Sequence, residues 1–356
     1  MTATVLMMAG GTGGHVFPAL AVAEQLRERG FDIQWLGAEG GIENRLVPAA
    51  GFSLHALSVT GVRGGGAMRK LKAPFMLLHA VWQALAVIRS LHPVLAVGFG
   101  GFASGPGGLA ARLSRVPLVI HEQNAVAGLT NRWLSRMAAA VLQAFPQAFG
   151  DNAQTVGNPV RRDIVALTDP VQRYASHEGP LRVLVVGGSQ GALVLNQSLP
   201  AALAALQAHQ PLAIRHQCGR GREDEARTAY QQAGLDAQVN AFIDDMAGAY
   251  DWADLLVCRA GALTVSEVAA AGVAAIFVPL PSAVDDHQSQ NAAWLADENA
   301  GWVLPQARMS NDILIEILGA GVSRQDLASV AQRARAMAVP DSAEQVADMC
   351  EEVLRG

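Results

Sequence analysis

His15 closes the run Gly10-Gly11-Thr12-Gly13-Gly14-His15, which follows the apolar stretch Val5 to Ala9. A glycine turn that leaves a strand and opens a helix points free backbone N–H groups at whatever sits above the strand end. The helix dipole favours an anion there. Glycine also permits positive φ and close approach to the backbone, so a phosphate, or the charge developing on a reacting sugar, fits against Gly11 to Gly14. A tight packing turn is the other reading. An imidazole at this place can accept a proton near neutral pH, which makes His15 a candidate general base; a histidine that only caps or packs the turn is the alternative.

Further polar residues gather at predicted strand ends. His121-Glu122-Gln123-Asn124 ends one such strand, where α/β sheets place ligand contacts; Asn124 suits sugar hydroxyls or buried loop bonding. Cys258 to Gly272 reads as a strand end, a small-residue turn and an Ala-rich helix. Thr264 and Ser266 near its start suit capping and phosphate contact. Glu267, expected in the first turn, suits the two hydroxyls of a ribose or complements the dipole. Gln288 and Asn291 stand three residues apart, on one face if helical, and suit sugar hydroxyls or a solvated helix start. Arg161, in Gly157-Asn158-Pro159-Val160-Arg161, and the helix N-termini are left to neutralise a leaving diphosphate.

Several chemistries are excluded. A GxGxxG fingerprint requires glycine where Val16 stands, and neither glycine turn carries the GK[ST] of a P-loop. The only lysines, Lys70 and Lys72, lie outside the glycine turns, which argues against a pyridoxal Schiff base. No Asp-x-Asp follows a strand and no His/Asp/Glu cluster has metal spacing. Cys218, Cys258 and Cys350 lie far apart, so neither a zinc site nor a disulfide framework is expected, and a reducing cytoplasm fits. A net charge of -5 gives no global field for nucleic acid.

These residues need strands to carry them. Val5 to His15 and Val183 to Ala192 share a strand-into-glycine-turn pattern 178 residues apart, which predicts two similarly built βα domains. A third such pattern spans Val94 to Gly105, and further strands are predicted at Ile33 to Leu36, Pro117 to His121, Ala213 to Cys218, Leu255 to Cys258 and Ala275 to Pro279. Helical patterns alternate with them at Pro18 to Arg29, Gly107 to Leu113, Leu193 to Gln207, Glu223 to Ala233 and Leu263 to Ala271. The alternation predicts an α/β protein with doubly wound parallel sheets. The boundary is placed near residue 160, with Ser342 to Leu354 a separate helix able to pack back onto the first domain. In 356 residues, 51% apolar and 16% charged, there is ample core for two domains.

One segment is not absorbed by this scheme. Arg69, Lys70 and Lys72 precede a helical pattern from Pro74 in which Leu77, Val81, Ala84, Leu85 and Ile88 form one stripe and Phe75, Leu78 and Trp82 a second. The first is expected to face the sheet. The second, beside a basic loop, suits an anionic membrane surface; burial of both stripes is the alternative. The apolar stretch is expected to be too interrupted to span a bilayer.

Taken together, GGTGGHVFPALAVAEQL, GFGGFASGPGGLAA, HEQNAVAGLTNRWL, GNPVR, VLVVGGSQGA, FIDDMAGAYDWADLLVCRAGALTVSE and DHQSQNA run in one order over essentially the whole chain. The chain resembles the MurG family, bacterial glycosyltransferases that add N-acetylglucosamine to lipid-linked N-acetylmuramyl-pentapeptide. The resemblance implies a GT-B fold: two Rossmann-like domains facing across a cleft, residues 1–160 for acceptor and membrane (with 341–356 packing back) and 161–340 for UDP-sugar. It implies that Ile243 reads uracil through its backbone, Glu267 the ribose, and Ser189 with Ala262, Leu263, Thr264, Val265 and Ser266 the diphosphate. Gln288 and Asn291 would hold the N-acetylglucosamine. Thr12, Gly13, Gly14, His15 and Asn124 would meet the acceptor and the donor sugar, with Arg161 near the diphosphate. The implied reaction is inverting, with no metal and no cofactor; His15 is the candidate base and Glu122 the reserve. Partners would be UDP-N-acetylglucosamine, the undecaprenyl-diphosphate-linked acceptor and other cell-wall synthesis proteins, at the cytoplasmic face of the inner membrane. A UDP-N-acetylglucosamine epimerase of the same architecture and an inactive UDP-sugar-binding subunit are the rival readings.

Overall fold

The computed structural model describes residues 2–58, 67–188 and 191–356, without the side chains of residues 67–73 and 284. The chain divides into two compact units, Met1–Arg161 with Val339–Gly356, and Arg162–Ala338. In the first unit the strands are β1 (Thr4–Ala9), β2 (Asp32–Ala38), β3 (Ser53–Leu57), β4 (Leu95–Gly100), β5 (Leu118–Glu122), β6 (Ala140–Gln143) and β7 (Gln154–Thr155). They pair in the order β3-β2-β1-β4-β5-β6-β7. The second unit holds β8 (Leu181–Val186), β9 (Leu212–Gln217), β10 (Gln238–Asn240), β11 (Leu255–Cys258), β12 (Ala274–Phe277) and β13 (Trp302–Val303), in the order β10-β9-β8-β11-β12-β13. Every described pairing is parallel.

The central strands are continuous apolar runs because helices cover both of their faces. Val5, Met7 and Ala9 face one core and Leu6 and Met8 another; Val183 and Val185 lie in the core of the second unit. In each sheet the winding reverses between two central strands, β1 and β4, then β8 and β11. Open α/β sheets bind ligands outside the carboxyl ends of strands at such a reversal. Both predicted glycine turns leave strands at that place.

Five helices matter to the first unit: α1 (Gly13–Glu28), α2 (Glu43–Ala49), α3 (Ala67–Leu91), α4 (Ser104–Leu113) and α5 (Leu129–Leu134). The terminal helix Ser342–Arg355 buries Val346, Ala347 and Cys350 in the same core as α1, and Asp348 pairs with Arg29 at 2.7 Å. In the second unit the predicted Leu193 to Gln207 helix is two, Leu193–Gln197 and Leu199–Gln207. Pro200 explains the break, since it lacks an N–H for the preceding turn.

The prediction for α3 needs three corrections. The helix begins at Ala67 and carries Pro74 inside it. Leu77, predicted to face the sheet, is 50% exposed, whereas Val81, Ala84 and Ile88 are buried. And the window Pro74–Leu91 is 18 residues long with mean hydropathy 1.3, long and apolar enough to cross a membrane by length and composition. Ala84 and Ile88 pack in the core against β1 and β4 residues Leu6, Met8 and Ala96. The second stripe is uncovered: Phe75 is 74%, Leu78 67% and Trp82 64% exposed.

Candidate active site

The first glycine turn joins β1 to α1. Thr12 is the extended residue before the helix and makes no side-chain cap bond to it; its Oγ1 lies 3.2 Å from His15 Nδ1. His15 is the third residue of α1, half-buried, and its ring lies over Gly100, where an added Cβ would stand 3.2 Å from Nε2. Gly100 (φ 94°) and Gly101 (φ 87°) are both left-handed, and a Cβ on Gly101 would run into the Gly10 backbone. The turns after β1 and β4 therefore pack backbone to backbone, which explains Gly100 and Gly101 of GFGGF. Behind them, the buried Ser104 hydroxyl lies 2.8 Å from the Met8 carbonyl and 2.6 Å from that of Gly100.

The turn after β5 gives Glu122 a different task from the one reserved for it. Oε1 accepts from Asn124 N at 3.0 Å and Asn124 Nδ2 at 3.1 Å; Oε2 accepts from Gly128 N at 3.1 Å and Asn131 Nδ2 at 2.9 Å. With Glu122 only 2% exposed and four N–H donors on its lone pairs, the carboxylate orders the loop that carries Asn124 and is closed to a substrate proton. His121 is equally committed. Nε2 lies 2.9 Å from the Gly157 carbonyl and Nδ1 3.1 Å from Gln123 Nε2, and burial lowers its pKa to about 4. It ties β5 to the Gly157-Asn158-Pro159 turn as a neutral ring. Arg161 follows that turn with its guanidinium over the Phe17 ring of α1, 5.4 Å from the centroid.

In the second unit the turn after β8 is held by Gln217: Gly187 N donates to its carbonyl at 3.1 Å, and its Nε2 donates to the Gly188 carbonyl at 3.1 Å. Ser189 lies outside the described residues. The helix Ala262–Ala271 starts after an extended Gly261 with no side-chain cap. Thr264 and Ser266 do not cap it: Ser266 Oγ donates back to the Ala262 carbonyl at 3.0 Å. Among the described residues no acceptor meets the first-turn N–H groups of Ala262, Leu263 and Thr264, which are followed by Val265, donating to Gly261 O. Glu267 stands in the second turn, so dipole complementation does not explain it. It is 5% exposed and accepts from Tyr250 Oη at 3.0 Å. Arg173 fixes the far end of this helix by donating to the carbonyls of Ala271 and Gly272.

Gln288 and Asn291 both lie in the helix His287–Ala296. Gln288, half-buried, is the second residue of that helix, and only Asn291 lies away from its solvated start. Gln288 Oε1 accepts from Leu280 N at 3.0 Å, and the fully buried Asn291 donates to the Ala260 carbonyl at 3.2 Å. Ile243 sits in the loop between β10 and the helix Met246–Trp252, half-buried. Among the described residues no group of three or more His, Cys, Asp or Glu is placed to hold a metal ion. Sequence reading missed Tyr250, Asn131 and Glu43, which hold site residues from 9 to 32 positions away; no local pattern announces such partners.

Residues 5–143 match the glycosyltransferase family 28 N-terminal domain and residues 182–346 its C-terminal domain. A relative from Alcanivorax borkumensis, UDP-N-acetylglucosamine--N-acetylmuramyl-(pentapeptide) pyrophosphoryl-undecaprenol N-acetylglucosamine transferase, is 62% identical over 100% of both chains. One of the same name from Aeromonas hydrophila is 54% identical over 100% of this chain and 98% of its own. The crystal structure of Acinetobacter baumannii MurG matches at TM-score 0.85 and 46% identity, covering 98% of this chain and 99% of its own. The calicheamicin glycosyltransferase CalG4, at 17% identity and TM-score 0.67, shares the fold alone. The chain has the GT-B fold, and its full-length identity places it in the MurG family of glycosyltransferases.

Proposed function

We propose that the chain moves N-acetylglucosamine from UDP-N-acetylglucosamine to the 4-hydroxyl of undecaprenyl-diphosphate-linked N-acetylmuramyl-pentapeptide, with inversion. The observation that carries this is identity of 62% over the full length of a transferase of that name. In one displacement the acceptor oxygen attacks the anomeric carbon, the bond from that carbon to the β-phosphate oxygen breaks, and UDP leaves with the electron pair. The acceptor proton goes to His15 Nε2. The contact between Thr12 Oγ1 and His15 Nδ1 at 3.2 Å supports this in the tautomer whose Nδ1–H donates to Thr12, which puts the lone pair on Nε2.

In this reading the first unit meets the acceptor through Thr12, Gly13, Gly14 and Asn124, and the second holds the donor. The uncapped start of the helix Ala262–Ala271 supports a diphosphate at Ala262 to Ser266, with Arg161 adding charge. Burial and the Tyr250 bond suit Glu267 to the ribose diol; Ile243 takes the uracil, and Gln288 and Asn291 the donor sugar. The exposed Phe75, Leu78 and Trp82 support a peripheral seat of α3 on an anionic membrane, with Arg69, Lys70 and Lys72 as its basic flank, at the cytoplasmic face. No protein cofactor enters the reaction.

The test is UDP release from UDP-N-acetylglucosamine with and without a short-chain lipid-linked muramyl-pentapeptide, and with UDP-N-acetylgalactosamine as control. Release that depends on the acceptor and on the glucosamine donor is expected. Interconversion of UDP-sugars without acceptor would mark an epimerase, and binding without turnover an inactive subunit; either overturns the proposal.

A further inference from the structure

We propose that Glu43 is a positioning residue that sets the first glycine turn, and with it Thr12 and His15, for transfer. Glu43 is the first residue of α2 and is fully buried. Its Oε2 accepts from Gly11 N at 2.9 Å and its Oε1 from Ala38 N at 2.9 Å. The carboxylate therefore bridges the ends of the neighbouring strands β1 and β2. Three glycines make room for it: a Cβ on Gly10, Gly37 or Gly41 would collide with the Glu43 side chain. A buried carboxylate is retained only where its acceptors are used and its charge is compensated. Here the compensation is the backbone of the turn itself.

The consequence lies on the other side of Gly11. Gly11 holds φ 88° and precedes Thr12, the residue before α1 that contacts His15. Thr12 offers the helix no side-chain cap, so among the described residues the charged bond from Glu43 to Gly11 is the side-chain tie that fixes how the turn enters the helix. A glutamine at 43 keeps one acceptor oxygen and turns an NH2 toward the other N–H, so one bond is lost and two donors face each other. The turn is then free to shift, and the base with it.

This rests on the transferase reading, and the test separates the two. In wild-type protein labelled with 15N-glycine, the Gly11 amide is expected to resonate downfield and to be protected from exchange. In Glu43→Gln the Gly11 resonance moves upfield and its protection falls, because one neutral amide oxygen now serves two N–H groups. Per folded molecule, kcat for transfer falls by about tenfold to a hundredfold, the cost of a misplaced reacting group, while the donor KM is unchanged. Gly41→Ala, which displaces the carboxylate without altering the turn's own residues, reproduces both effects should Glu43→Gln fail to fold. Asp254→Asn serves as the control for general destabilisation: the fully buried Asp254 of the second unit bonds His177, Arg182 N and Arg324, and its loss leaves Gly11 protected. An exposed Gly11 amide in the wild type, or unchanged kcat in folded Glu43→Gln, overturns the assignment. Absent acceptor-dependent UDP release by the wild type would instead remove the transferase reading, and the Gly11 amide would still decide the Glu43 bond.

Discussion

Replacing Glu122 with glutamine separates a loop-ordering carboxylate from a catalytic base. The carboxylate receives two donors on each oxygen. Glutamine keeps one oxygen and presents an NH2 where two N–H groups require an acceptor, so two hydrogen bonds to a charged group disappear. At about 1.5 to 3 kcal/mol for each such bond the loss is about 3 to 6 kcal/mol. For a folding unit near 180 residues, a shift of roughly 2 to 4 °C per kcal/mol lowers the melting midpoint by roughly 6 to 24 °C. The assay is a thermal melt followed by circular dichroism, paired with UDP release below the new midpoint. The variant is expected to melt early and, while folded, to show a raised acceptor KM because Asn124 is no longer held. An unchanged midpoint with kcat reduced by about a hundredfold or more, the usual cost of losing a general base, would refute the reasoning and restore Glu122 as the base.

Glu267→Ala is expected to raise the KM for UDP-N-acetylglucosamine with little change in kcat, because ribose contacts are alike in ground and transition states; an unchanged KM removes Glu267 from the ribose. Phe75→Ser with Trp82→Ser is expected to weaken binding to anionic liposomes in a flotation assay and to spare activity on a detergent-soluble acceptor, since both side chains are uncovered; undiminished flotation would refute the membrane role of the stripe. Burial lowers the pKa values of His121 in the first unit and His216 in the second to about 4 from 6.5. Between those values the unfolded chain binds the proton that the folded chain refuses, so stability is full above pH 6.5 and is lost as pH falls toward 4. Each unit is expected to lose up to about 1.4 kcal/mol per pH unit from its histidine. Urea midpoints equal at pH 7 and pH 5 would contradict this.

What was legible in the sequence was what one strand and its following turn encode. Val5 to Ala9 with the glycines after it, and Val183 to Val186 with theirs, announce themselves because a buried parallel strand is uniformly apolar and a left-handed turn needs glycine. Short edge strands such as β7 and β13, two residues each, carry no such signal. Helix starts were misjudged where glycines belong to the helix itself: α1 opens at Gly13, five residues before the predicted Pro18. On α3, Leu77 fits a stripe on a helical wheel, but the helix is only packed from Ala80 onward, and periodicity does not say where a sheet ends.

The two glycine turns show why site residues and their supports differ in legibility. Each turn leaves the first strand of its unit, and each is clamped from the next strand outward: Glu43 just beyond β2 bonds Gly11, and Gln217 at the end of β9 bonds Gly187 and Gly188. The parallel winding order makes this so, because the strand paired outside the first one ends beside its turn. The clamps are polar residues about 30 positions downstream, the Glu43 carboxylate in one unit and the Gln217 backbone carbonyl with its side-chain amide in the other. A glycine turn therefore states in its own residues only that the backbone can bend there. Which bend it holds depends on a residue at or just beyond the neighbouring strand end that only the fold brings into reach.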